Sequence, residues 1–369
     1  MKQTRVGIVG CGKMGRDHLR DLLAVEGCDA VVWDLHPETA REAAAATGAT
    51  VARTFEELLL ERGLDAIIIA TPNRFHASMA IAALEAGKHV FLEKPMALHA
   101  DDARRLARAA RASGRHLCIG FELRQSLFPL EVKRLIGNGE LGKLVSAQVM
   151  EYRGHFWPQW KGDRDDGGSM YLMELCHFID LFRWWNEDEV ETIHAVGSRR
   201  NIVGHYDYPD TQFNTFVFRN GFVGHIVSCH VRSAMPADFD KIYQPEFGHQ
   251  YEYSVVGEKG SLHFLPLQGL CHIYRHERQP DGALYQRMHR TLDYTRFKSH
   301  HPTIHNTTDA IANFIASVRG EREPSLLPED ALRTHLTCYA AEEALASGRP
   351  VHLDEADLQA EPLPALVEV

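Results

Sequence analysis

The chain lacks any apolar run long enough to cross a bilayer, and it has no block of basic residues, no internal repeat and no low-complexity tract. The first absence argues against a membrane-spanning helix, and Asp17 and Arg20 interrupt the N-terminal stretch before it could serve as a signal-peptide core. The second, with a net charge of −10, argues against nucleic acid and anionic membrane as partners. Paired cysteines are missing too. The seven cysteines are scattered at 11, 28, 118, 176, 229, 271 and 338, with no C-x-x-C pair. Reduced thiols in a cytoplasm are therefore expected rather than a disulfide framework. What remains is 369 residues, 44% hydrophobic and 24% charged, a length and balance that suit two domains with substantial cores.

The most informative segment is the first. Arg5-Val6-Gly7-Ile8-Val9 reads as a buried strand, and Gly10-Cys11-Gly12-Lys13-Met14-Gly15 follows it directly, before a helical stretch from Arg16 to Leu23. In that setting G-x-G-x-x-G is a dinucleotide signature. Gly10 permits the turn, Gly12 clears the way to the pyrophosphate, and Gly15 lets helix and strand approach. The free N–H groups of the helix start then face phosphate. A second apolar run, Ala30 to Trp33, ends in Asp34, where a carboxylate can accept hydrogen bonds from the ribose hydroxyls and repel a 2′-phosphate. No arginine stands beside Asp34, so NAD is favoured over NADP. An ordinary strand-helix turn with Asp34 as a helix cap is the alternative; strand, glycines, helix and spaced acid together outweigh it.

Strand and helix patterns alternate to about residue 122, with apolar strands at Asp65–Ala70, Lys88–Leu92 and His116–Gly120, which implies a parallel sheet covered on both faces. Gly27, Gly48, Gly63, Gly87 and Gly114 fall where helices should end. Beyond about residue 140, alternating stretches such as Thr211–Phe218 and Gly221–His230, joined by Arg219-Asn220-Gly221, predict antiparallel strands. Helices are predicted at Ser169–Trp185, Thr308–Arg319 and Glu329–Ser347. The expected fold is α/β: an N-terminal doubly wound Rossmann sheet over 1–122, then an α+β domain over 123–369 with a large, open, mostly antiparallel sheet. The helix near 329–347 is expected to pack back on the first domain.

Two constellations carry candidate chemistry. Thr71-Pro72-Asn73-Arg74-Phe75-His76 and Glu93-Lys94-Pro95 follow the fourth and fifth strands, at the carboxyl edge where ligands bind in open sheets. Pro95 restricts Lys94 to extended geometry, and a lysine so held can bond a substrate hydroxyl or, if desolvated, transfer a proton; a surface lysine paired with Glu93 is the alternative. The second is Gly167-Gly168-Ser169 followed by an apolar helix in which Glu174, His177 and Asp180 recur every third residue, close to one face. Ser169 is the expected cap. Such a stripe suits a cavity lining, or else a satisfied core histidine held by Asp180. Zinc is disfavoured, for want of H-E-x-x-H and a third ligand, and no metal is expected. In the loop Tyr152–Lys161, the aromatics with Arg153, His155, Trp160 and Lys161 could meet a sugar or pack at a subunit contact. Ser299–His305 reads as a solvated loop, and Arg199-Arg200 as a charged strand end.

Taken in order, Gly10–Gly15, Asp34, Thr71-Pro72-Asn73 with His76, Glu93-Lys94-Pro95, Gly120-Phe121 with Arg124, and Gly167-Gly168 with His177 and Asp180 resemble the glucose-fructose oxidoreductase / inositol dehydrogenase (Gfo/Idh/MocA) family. The resemblance runs to Leu326–Ala331 and Gly348–Val351. It implies that Lys94 bridges substrate hydroxyl and cofactor, that His177 exchanges the proton, and that Thr71, Pro72, Asn73, His76 and Glu93 lie along the dinucleotide. Many relatives carry an aspartate four residues before the histidine, where this chain has Met173; Glu174 is the candidate substitute. Glu174, Asp180, Arg124, Tyr152, His155 and Trp160 are the candidates for relay or substrate contact. The implied activity is NAD-dependent hydride transfer at a secondary alcohol or ketone of a sugar, sugar derivative or inositol-like polyol, in a homodimer or homotetramer built through the open sheet. Glycosidic elimination with transient use of NAD, or a non-catalytic NAD-binding regulator, are the alternatives.

Overall fold

The computed structural model describes residues 3–155, 159–198, 200–204, 206–232, 249–296 and 305–360. Phe156, Trp157, Pro158, Arg199 and Ser299 to Ile304, which figure in the sequence reading, lie outside the described residues. By its contacts the chain divides into two units: residues 1–122 with 307–336 and 358–369, and residues 123–306 with 337–357.

The first unit holds six parallel strands: β1 (Thr4–Val9), β2 (Cys28–Trp33), β3 (Thr50–Val51), β4 (Leu64–Ile69), β5 (His89–Leu92) and β6 (Leu117–Ile119), in the order β3-β2-β1-β4-β5-β6. Val6, Ile8, Val32 and Ile68 are fully buried, each contributing about 1.5–3 kcal/mol through the apolar surface it removes from water. Helices cover the strands because every crossover between parallel neighbours must return over a face: α1 (Lys13–Leu23), α2 (Pro37–Thr47), α3 (Phe55–Leu59), α4 (His76–Glu85) and α5 (Ala100–Ser113). Pro37 starts α2 with a φ already set for helix, and Gly48 and Gly114 end α2 and α5 in the left-handed region. All five glycines expected at helix ends have positive φ.

A further helix, α8 (Thr307–Val318), belongs to this unit, beyond the boundary at residue 122 and the returning helix near 329–347 that the sequence predicts. The reason is its apolar stripe. Ala310, Ile311, Phe314, Ile315 and Val318 join Leu19, Leu22, Val6 and Ile8 in one core cluster. Thr307 and Thr308 at its start donate to the buried carboxylate of Asp21 at 2.8 and 3.1 Å, tying α8 to α1. The following helix, α9 (Pro328–Ser347), passes from the first unit to the second after Leu336.

The second unit is a nine-stranded sheet: β7 (Leu144–Gly154), β8 (Val190–Gly197), β9 (Thr211–Phe218), β10 (Val223–Arg232), β11 (Gln250–Gly257), β12 (Gly260–Leu265), β13 (Leu270–Arg278), β14 (Leu284–Asp293) and β15 (Val351–His352), in the order β14-β13-β12-β11-β7-β10-β9-β8-β15. Among the described strands of this sheet only β7 and β10 pair in parallel; the other neighbours are antiparallel. One face is covered by α6 (Leu127–Gly137) and α7 (Cys176–Asn186): Phe128 stacks on Phe264 with ring centroids 4.1 Å apart. Phe182 fills the space above Gly224, where a Cβ would lie 2.4 Å from its ring. The alternation on β9 buries Gln212, Asn214, Phe216 and Phe218 and leaves Phe213 exposed on the other face, beside exposed Val196 of β8. No helix among the described residues is long and apolar enough to cross a membrane.

Candidate functional site

In the first unit the chain leaves β1 through Gly10, whose φ of +88° only glycine adopts easily and whose Cβ would lie 2.6 Å from the Ala70 carbonyl oxygen. Gly15 is equally constrained, since a Cβ there would stand 1.8 Å from the Gly10 carbonyl oxygen. Gly12 is the opposite case. It caps α1 with no side-chain hydrogen bond, and nothing lies within 4 Å of where its Cβ would be. The open ground therefore sits beside the N–H groups that begin α1, with Cys11, Lys13 and Met14 around it; Cys11 is buried and Met14 exposed. That is the shape a pyrophosphate requires. Asp34 stands next to it: one carboxylate oxygen accepts the Cys11 N–H at 2.7 Å and the other the His36 N–H at 2.8 Å. The carboxylate is thereby fixed at the end of β2, on the edge where an adenosine ribose lies in this strand order.

The other half of that edge is built by the segments after β4 and β5. Thr71 and Pro72 lead into a tight turn over Asn73–Phe75. His76 is buried with Nδ1 2.7 Å from the Pro95 carbonyl and Nε2 2.9 Å from the Thr71 carbonyl. Burial pushes its pKa below the ordinary value, the two carbonyls opposing that shift. Its ring thus clamps the two segments together. A second clamp, His335, accepts the Met96 N–H at 2.8 Å through Nε2, while its Nδ1 bonds the Ala331 carbonyl at 2.8 Å. Both clamps grip the chain just after Lys94, which is half-buried and joined to Pro95 by a cis peptide bond. Glu93 is buried, with one oxygen 2.6 Å from His18 Nε2 and the other accepting the Lys94 N–H at 3.2 Å. His18 and His335 were not singled out from sequence. His18 carries a readable signal, since Gly15, His18, Leu19 and Leu22 follow the buried stripe of α1; His335 carries none.

In the second unit the expected single face of Glu174, His177 and Asp180 is corrected. Tyr171–Leu175 form a turn of π-helix ahead of α7, and its wider winding rotates Glu174 away from the i,i+3 stacking that an α-helix would give. Ser169 does serve the helix start, accepting the Leu172 N–H at 3.4 Å, while its hydroxyl donates to Glu342. Glu174 lies 2.5 Å from Arg153 Nη1, which also donates to Glu151 at 3.1 Å; Glu151 in turn meets His230 Nε2 at 3.3 Å. All four are buried. Burial raises the Glu151 carboxyl against the pull of Arg153, and burial aided by Arg153 lowers His230 to about 3. Arg153, offered as a contact for substrate, is thus committed between two carboxylates.

Asp180 accepts two hydrogen bonds from Arg124, both 2.7 Å, with the arginine 5% and the aspartate 1% exposed. It therefore holds Arg124 in a buried ion pair. His177 is buried on α7, its ring edge-on to that of His305 at 6.4 Å. Alternation along β7 puts Tyr152 on the open face of the sheet, opposite Glu151 and Arg153. His155 follows the strand near enough to His230 to oppose its charge, and Trp160 sits in a short turn under the Lys161 amine at 5.8 Å. Among the described residues no cluster of three or more metal-ligand side chains occurs.

The doubly wound sheet, the glycine turn and the fixed Asp34 define a dinucleotide-binding protein. Comparison with known proteins gives the family. The oxidoreductase family GFO_IDH_MocA matches twice, through its NAD-binding Rossmann fold over residues 4–121 and its C-terminal alpha/beta domain over residues 133–353; the chain belongs to this family and is an NAD-binding oxidoreductase. It is 28% identical over 265 residues to inositol 2-dehydrogenase 2 of Saccharopolyspora erythraea, covering 71% of this chain and 73% of that one. It is 25% identical over 357 residues to myo-inositol 2-dehydrogenase of Thermotoga maritima, covering 95% and 99%. Among solved structures, levoglucosan dehydrogenase in complex with NADH and L-sorbose superposes with a TM-score of 0.77 at 22% identity, covering 96% and 100% of the two chains.

Proposed function

We propose that the protein is an NAD-dependent dehydrogenase of a secondary alcohol on a sugar, sugar derivative or inositol-like polyol, working reversibly as a ketone reductase. NAD supplies the hydride acceptor. Lys94 stabilises the developing alkoxide, and His177 takes the hydroxyl proton. Asp34 selects NAD by occupying the site of a 2′-phosphate, and the open face at Gly12 admits the pyrophosphate. The observation that carries the reading is Lys94 itself: it follows β5 on the ligand edge of the sheet, and the backbone just after it is held by His76 at the Pro95 carbonyl and by His335 at the Met96 N–H. Clamped segments of this kind suit catalysis, where small displacements are costly. The relatives support the substrate class, since the matched chains include two inositol dehydrogenases and a 1,5-anhydro-D-fructose reductase of Ensifer adhaerens. The exposed face of the sheet in the second unit, with Val196 and Phe213, is the proposed surface for a second copy.

The test is a screen of cyclitols and sugars with NAD, followed by absorbance of NADH. Turnover is expected for at least one polyol. Lys94→Ala should lower kcat by about 10²–10³-fold, the usual cost of an electrostatic stabiliser of the transition state, while NAD binding is retained. Normal turnover by that variant would remove Lys94 from the mechanism. Glycoside cleavage without net NADH would replace the dehydrogenase reading by the elimination chemistry.

A further inference from the structure

We propose that the buried His18–Glu93 pair is a charge-tunable positioning device for the nicotinamide half of the cofactor, setting by its protonation how strongly the protein prefers NAD+ over NADH. The inference rests on the cofactor reading and on three observations within the first unit. The first is place. Asp34 at the end of β2 and the glycine turn after β1 account for the adenosine and pyrophosphate, so the remaining half of the dinucleotide lies along the carboxyl ends of β4 and β5. Glu93 is the first residue beyond β5. Its carboxylate is confined by the backbone of Gly120, where an added Cβ would sit 3.3 Å from it.

The second observation is the partner. His18 is completely buried on α1, 2.6 Å from the Glu93 carboxylate through Nε2, with the edge of the Phe91 ring against it at a centroid distance of 5.4 Å. Its other nitrogen, Nδ1, is buried with no hydrogen-bond partner among the described residues. The Nε2–H bond to Glu93 therefore persists in both protonation states, and the proton that comes and goes is the one on Nδ1. Geometry stays; charge changes. With His18 protonated the pair is neutral, and with His18 neutral it carries one negative charge.

The third is the surrounding charge. Asp21 on α1, itself bonded to Thr307 and Thr308 of α8 and 3.5 Å from Arg20, and Glu122 after β6 both face His18, as does Glu93. On the far side, Lys94 and His76 stand close enough to interact with each other, and His76 with Glu93. Burial lowers the pKa of His18, but the bond to Glu93 and the three carboxylates outweigh it and hold the value above the ordinary one. The oxidised nicotinamide ring is cationic and the reduced ring neutral, so the negative pair favours the oxidised form and the neutral pair discriminates less. By linkage, NAD+ binding expels the Nδ1 proton more than NADH binding does.

The experiment measures Kd for NAD+ and NADH on the full chain between about pH 6 and about pH 9. The ratio Kd(NADH)/Kd(NAD+) is expected to rise roughly tenfold with pH. His18→Gln, which keeps a donor toward Glu93 and cannot titrate, should give a ratio independent of pH. Calorimetry of the unmodified protein in buffers of different ionisation enthalpy adds a readout independent of any variant: proton release should accompany NAD+ binding and exceed that for NADH. A flat ratio, equal proton release for both forms, or an unchanged slope in His18→Gln each overturns the proposal. Failure of both forms to bind at every pH would instead overturn the cofactor reading on which it rests.

Discussion

Removing Arg124 alone should cost the second unit far more than removing Arg124 and Asp180 together. The two form a bidentate pair at 2.7 Å on both bonds, with neither residue more than 5% exposed. In Arg124→Met the Asp180 carboxylate loses its counter-charge and two donors in a site that water barely reaches, a loss of about 3–5 kcal/mol. Asp180→Leu strands the guanidinium, which cannot shed its proton, at a similar cost. The double variant replaces two desolvated charges by apolar groups and should recover most of the summed loss, as buried pairs exchanged for well-packed hydrophobes are often close to neutral. A coupling of about 3 kcal/mol or more between the substitutions follows. Urea unfolding followed by tryptophan fluorescence is the assay, because four of the five tryptophans fall after residue 122 and Trp184 lies 5.5 Å from the Arg124 guanidinium. The loss in Arg124→Met should also shrink toward about pH 5 as the orphaned carboxyl takes up a proton. Additive losses, or a stable Arg124→Met that has lost only substrate affinity, would refute the reasoning and return Arg124 to the substrate contacts.

Gly12→Ala should fold normally, since its Cβ meets no atom within 4 Å, yet weaken NADH binding by about tenfold or more in a fluorescence titration; unaltered affinity would move the pyrophosphate elsewhere. Gly15→Ala should lower Tm instead, its Cβ standing 1.8 Å from a backbone oxygen. His230, lowered to about 3 by burial first and by Arg153 next, binds its proton more readily unfolded than folded. Its contribution is therefore present above about pH 6.5 and is lost as pH falls toward 3, with a ceiling of roughly 5 kcal/mol; urea midpoints taken between about pH 7 and about pH 4 should fall less steeply in His230→Gln. Asp34→Ala should let NADP bind by removing the charge that repels a 2′-phosphate, at the expense of the bond to Cys11 N–H, and competition against NADH reads the change.

The first unit was legible because its strands are buried on both faces and its turns need particular residues. Val6, Ile8 and the Ile67–Ile69 run are apolar without alternation because helices pack above and below them. Gly10 and Gly15 stand where any side chain would strike backbone, so those two positions could be read before any coordinates. Helix α8 shows the limit of that reading. Its stripe of Ala310, Ile311, Phe314, Ile315 and Val318 announces a buried face, but periodicity does not say which surface buries it, and the answer is α1 and β1.

The same limit decides what could be read of the second unit's chemistry. Spacing on an α-helix put Glu174, His177 and Asp180 on one face, and that inference assumed 3.6 residues per turn from Ser169 onward. One turn of π-helix breaks the assumption. Glu174 goes to Arg153 on β7 and Asp180 to Arg124 ahead of α6. Each acid found a guanidinium more than 20 residues away in the chain, a pairing that no local pattern encodes. At two places on this helix a buried carboxylate is met by a buried guanidinium, so removing either partner of a pair leaves a charge that water barely reaches.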